Sequence, residues 1–155
     1  MSVTIGQVTA LTVITPIKEG MADQLKRTLK GIQTNPDSPI RRINTIHYAR
    51  WVIIDNSTRL LFTSNFDGSW EAYLRDFVDK APEGLDAIWS NCVGYPGARP
   101  IEKFMAYVNA HEFDAELFYP AYDATVNQVQ KGLRVQKHVQ ALRKIDEFNK
   151  WLGEF

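Results

Sequence analysis

The chain has 155 residues, 45% of them hydrophobic and 23% charged, and its 18 Lys and Arg balance 18 Asp and Glu. That length suits a single domain over residues 1–155, able to bury roughly 70% of its unfolded surface. Zero net charge argues against a nucleic-acid partner bound by neutralising phosphates, and the lone Cys92 excludes an internal disulfide or a cysteine-rich metal site. The first residues lack the basic segment and apolar run of a secretory signal, and no apolar run is long enough to span a bilayer. A reduced cytoplasm is the expected location.

Residues 1–8 read as a loose lead-in. Ala10 to Ile17 (ALTVITPI) reads as a strand, with Pro16 at its end or on an edge. A helix follows from about Gly20 to Lys30, because Met21, Leu25, Leu29 and Ile32 recur at helical spacing and Gly31 stands where a C-cap falls. Gln33 to Arg42 is loop by its Pro, Asn, Asp and Ser content. Two strands come next, His47 to Ile54 and Leu60 to Phe66, separated by the turn-forming run Asp55-Asn56-Ser57-Thr58. A second helix starts after Gly68, with Asp67 or Ser69 as N-cap and Trp70, Tyr73, Leu74, Phe77 and Val78 as its apolar stripe. Pro82-Glu83-Gly84 breaks it, and Leu85 to Val93 predicts a further short helix. A third main helix opens near Pro100 and carries Ile101, Phe104, Met105 and Val108. Ala115 to Asp123 (AELFYPAYD) predicts a fourth strand, with a bulge or edge position at Pro120. The last helix starts at Thr125, whose spacing to Gln128 is that of a capping box, and runs to about Leu152 through Val129, Leu133, Leu142, Ile145 and Phe148.

The two central strands are too close in sequence for anything but an antiparallel hairpin. If Asp55 faces Arg59 across a three-residue loop, the pairing follows. One face is then hydrocarbon: Tyr48, Val52, Ile54, Leu60, Phe62 and Phe66, with Arg50 reaching out to a carboxylate such as Asp76 or Glu71, or to a helix C-terminus. The other mixes His47, Trp51, Thr63, Asn65 and Asp67, the blend of apolar wall and placed polar groups that a pocket needs. A shift of one residue would scramble the two sets.

The element order β-α-β-β-α-(α)-β-α contains the split βαβ of ferredoxin-like α+β folds. An extra helix precedes strand four of the four-stranded antiparallel sheet, and a long C-terminal helix follows it. In this order the chain resembles the dimeric α/β-barrel superfamily, and the run Phe66 to Phe77 (FDGSWEAYLRDF) is similar to a segment of uncharacterised bacterial proteins within it. The resemblance implies a homodimer with two sheets face to face. A bare face carrying Trp51, Ile53 and Leu61 argues independently for a two-fold partner. The superfamily spans heme peroxidases, cofactor-free monooxygenases, isomerases and non-enzymatic stress proteins, so the resemblance does not choose the chemistry.

His47 and Asp67 fall side by side on the half-polar face. The pair suits a carboxylate-oriented imidazole acting as base or ligand, or a structural bond at the hairpin end. These two are the candidate catalytic residues, with Trp51, Thr63 and Asn65 as candidate ligand-binding residues. His111 is explained by the helix C-terminus beside it. His138, in the last helix, is the position a heme axial ligand would take if the peroxidase branch applied, and a surface histidine otherwise. No metal spacing links the three histidines. Cys92 reads as a buried small hydrophobe. Trp51, Trp70, Trp89, Tyr95, Tyr119 and Tyr122 either line a pocket for a flat ligand or fill the core. Two functions are therefore expected as alternatives. One is a binder or enzyme for a small apolar molecule, with monooxygenase- or peroxidase-like oxidation as the class the resemblance implies. The other is a non-catalytic dimeric structural or stress-response module.

Overall fold

The computed structural model describes residues 2–145 and 150–153. Four strands form an antiparallel sheet in the order β1-β2-β4-β3: β1 is Val3–Ile5, β2 Val8–Pro16, β3 Ile46–Ile54 and β4 Arg59–Asp67. The helices are α1 (Ala22–Thr34), α2 (Trp70–Lys80), α3 (Pro82–Trp89), α4 (Ile101–Ala110) and α5 (Val126–Leu142), with a 3-10 turn at Pro39–Arg42. The architecture is α+β and compatible with a ferredoxin-like fold. No helix among the described residues is long and apolar enough to cross a membrane.

Alternation along β2 and β4 sends Leu11, Val13, Leu60, Phe62 and Phe66 to one side, where all are buried. Tyr73, Leu74 and Phe77 of α2, with Leu85, Trp89 and Phe104, pack against them. The polar residues on this side are matched individually. Ser64 Oγ and the Tyr73 hydroxyl share a hydrogen bond of 2.6 Å, and the Thr15 hydroxyl donates to Cys92 Sγ at 3.3 Å. Burial pushes the Tyr73 hydroxyl and the Cys92 thiol above their ordinary pKa values, which those bonds only partly offset. Cys92 is thus the buried small residue expected of it.

The hairpin register differs by one residue from the expected one. Ile54 pairs with Arg59, Ile53 with Leu60, Trp51 with Phe62 and Ala49 with Ser64. The loop therefore has four residues, Asp55 to Thr58, of which Asp55, Asn56 and Ser57 take φ of 52°, 54° and 67°. Asx residues tolerate that region, and Arg59 closes the loop through the Asp55 carboxylate. The slip exchanges the faces of β3. Trp51 and Ile53 join the core side, with the Trp51 ring 4.7 Å from that of Phe62, while Tyr48, Arg50 and Val52 turn away. Arg50 does not meet Asp76, whose carboxylate instead pairs with Lys80 at 3.0 Å.

The predicted fourth strand is absent: residues 115–123 form none. The edge of β2 is already taken along its length. β1, inside the supposed lead-in, pairs with Val8 to Ala10. A single bridge joins Val13 to Glu112, flanked by the Phe113 N–H donating to the Thr12 carbonyl at 2.9 Å. Near the far end the Val93 N–H donates to the Pro16 carbonyl at 2.8 Å. Pro120 has no N–H with which to compete. The turn between β1 and β2 needs Gly6, with φ of 59°, and a Cβ there would lie 2.3 Å from the Asp123 carboxylate. That carboxylate accepts the Gln7 N–H at 2.9 Å, which ties the end of segment 115–123 to the β1–β2 turn.

The helices depart from expectation mainly at their ends. α1 continues through Gly31 to Thr34, and α3 starts at Pro82 and stops at Trp89, while of the two expected caps of α2 it is Ser69 that serves. The Thr125–Gln128 capping box forms as predicted, and Val126 is the one buried residue of α5. Phe148 lies outside the described residues.

Candidate functional site

A β-bulge organises the site. Ile46 pairs with Phe66 and Tyr48 with Asn65, so His47 is an extra residue in β3. Strand alternation is suspended there, and His47 and Tyr48 both line one cavity. The expected meeting of His47 and Asp67 therefore occurs, although the register that predicted it does not hold. His47 Nε2 lies 2.7 Å from Asp67 Oδ1, with the two side chains 5% and 15% exposed. Asp67 Oδ2 accepts the backbone N–H of Val126 at 2.9 Å, in the first turn of α5. One carboxylate thus holds the imidazole and anchors a helix N-terminus, where an anion is favourable. An ionised carboxylate can only accept, so Nε2 supplies the hydrogen to Oδ1. Nδ1 has no hydrogen-bond partner among the described residues and is not one of the fully occluded unpaired atoms.

The cavity beside this pair has a volume of about 200 Å³. Val8, His47, Tyr48 and Asn65 form its sheet side, and residues 118–122 close it from above. The Tyr122 ring centroid lies 6.1 Å from that of His47, and Tyr119 is 81% exposed at the mouth. A dry cavity of about 150 Å³ suffices for a benzene ring, so the space admits a molecule of one ring. Chemically, the arrangement offers an oriented imidazole, an amide and aromatic walls.

Of the five residues singled out by sequence, His47, Asp67 and Asn65 come together. Thr63 sits further along the open face, opposite Thr12 and Arg50, and does not line this cavity. Trp51 points to the other side and lines a separate cleft at the β3 edge, a consequence of the four-residue loop. Sequence reasoning missed Tyr48, which it placed under helices, and Phe118, which it placed in a strand. The non-donating Pro120 was the available sign that this segment runs elsewhere. Of the aromatic set, Trp89 is in the core and Tyr122 walls the cavity.

His111 Nδ1 donates to the Tyr107 carbonyl at 2.8 Å, which accounts for it structurally. His138 is exposed on α5 and lines none of the cavities described here. A heme needs an enclosed apolar site around its axial ligand, and among the described residues none encloses the exposed His138, so these residues do not fit that group. Among the described residues no three His, Cys, Asp or Glu side chains gather to hold a metal ion. No protein-family model matches the chain, and no curated protein matches it either.

Proposed function

We propose that the protein binds a small, flat, hydroxyl-bearing molecule against His47, and that Nδ1 accepts the hydroxyl proton while Asp67 holds the ring. The observation that carries this reading is the 2.7 Å bond from Asp67 to a histidine only 5% exposed at the wall of a cavity. In the transfer, the ligand O–H bond breaks and the proton goes to Nδ1. A ligand oxyanion and an imidazolium result, the latter balanced by the Asp67 carboxylate. The Asn65 amide supplies a donor to the oxyanion, and the tyrosine rings supply stacking area. A phenolate is more readily oxidised than its phenol, which links this site to the oxidative class that the resemblance implies. The test uses 4-nitrophenol, whose anion absorbs visible light. Wild-type protein should raise the phenolate absorbance near neutral pH, and His47→Gln, which still offers a donor to Asp67, should not. An equal response in both proteins overturns the assignment.

The uncovered sheet face supports a second, compatible reading: a two-fold homodimer of the dimeric α/β-barrel kind. Ile14 and Leu61 lie on that face, Val52 is exposed beside them, and Leu133 and Leu142 are exposed on α5. If the apposed faces fill one another completely, the protein is the non-catalytic dimeric module. Sedimentation should show a dimer at micromolar concentration, and a monomer would refute the pairing.

A further inference from the structure

We infer that the cleft along the free edge of β3 is a second binding site, and that it takes an organic carboxylate with an apolar body. The cleft has a volume of about 800 Å³, inside the range of roughly 300–1,000 Å³ typical of ligand pockets. It shares no residue with the His47 cavity. Its sides are α1, the 3-10 turn, the outer edge of β3 and the first turns of α5. Ile32, Ile43, Ile46 and Trp51 give it an apolar floor.

Among the described residues the charged groups that line it are of one sign, Arg41, Arg42 and Arg50, with no Asp or Glu. Arg41 is already committed, since its guanidinium donates to the Asn35 and Gln33 carbonyls at 3.2 and 3.3 Å. Arg42 and Arg50 form no ion pair among the described residues. The hairpin register explains the second of them: the slip that turns Trp51 inward turns Arg50 outward, and on an edge strand its long side chain reaches the cleft. In a chain of zero formal net charge, two guanidinium groups above hydrocarbon with no ion pair among the described residues form a local demand for an anion. The planar guanidinium fork matches a carboxylate, and the floor matches an alkyl or aryl body.

Decanoate and decan-1-ol share a body and differ in charge, which makes them the probes. Trp51 lines the cleft, so intrinsic fluorescence reports occupancy. Decanoate should bind about tenfold more tightly than decan-1-ol at low salt, the sum of two partly exposed charge contacts. The double variant Arg42→Gln/Arg50→Gln should lose that advantage and bind both probes alike; both side chains are exposed, so the fold should persist, with an unchanged Tm as the control. His47→Gln should leave decanoate binding unaltered. Equal affinity of the wild type for the two probes would overturn the inference. So would an unchanged double variant, or loss of decanoate binding in His47→Gln alone.

Discussion

The two faces of the sheet are made from alternate residues of the same strands, yet they differ in chemistry. On the covered face every helix-facing position of β4 from Leu60 to Phe66 is buried, and its one polar member, Ser64, is matched by Tyr73. On the open face Leu61, Thr63, Asn65 and Asp67 are only partly buried. A polar strand residue becomes structural where a helix brings it a partner and stays available where none does. Ser64 lies under a helix that brings it a partner. Asn65 lies where, among the described residues, segment 118–122 passes over it and leaves a space in between. Asp67 stands at the boundary, holding His47 through one carboxylate oxygen and the first turn of α5 through the other.

The sharpest way to break this comparison is to truncate neighbours. Phe62→Ala should cost about 3–5 kcal/mol in chemical denaturation, while Thr63→Ala, one residue along, should stay within about 0.5 kcal/mol. Similar losses at the two positions would mean that the faces are not distinct. Next in size is Ser64→Ala, which leaves the Tyr73 hydroxyl buried without its partner and should cost about 1–3 kcal/mol. Adding Tyr73→Phe should recover most of that loss, because both polar atoms are then gone; a purely additive double variant would contradict the pairing. Asp67→Ala removes the acceptor of both the Val126 N–H and the His47 Nε2–H and should also cost about 1–3 kcal/mol, with faster amide exchange in the first turn of α5. Slowest to respond should be Cys92. It is wholly buried, so a thiol reagent should label it only as fast as the fold opens, and prompt labelling would show that this end of the core is loose.

Much of the covered face was legible in the sequence because strong periodicity and helix stripes agree there: Tyr73, Leu74, Phe77 and Val78 are buried as expected. The hairpin register was not legible, because β3 carries apolar residues on both faces. Trp51 and Ile53 alternate with Val52 and Ile54, so burial pattern alone cannot choose between a three- and a four-residue loop. The three-residue loop predicts the His47–Asp67 contact for the wrong reason, since the bulge at His47 compensates for the slipped register, and nothing in IHYAR announces a bulge. AELFYPAYD has strand composition but no strand, because the edge it would join is taken by residues that read as a lead-in. Tertiary competition for an edge is invisible to local propensity.

Asp67 holds the Nε2–H of the His47 imidazole, and no described residue bonds Nδ1, the atom proposed to take the ligand proton. Long-range proton–nitrogen NMR of the neutral His47 ring tests this arrangement most directly. The Nε2–H tautomer should dominate in the wild type, and the bare Nδ1 resonance should move when 4-nitrophenol is added. An Nδ1–H tautomer, or an Nδ1 indifferent to 4-nitrophenol, would contradict the account.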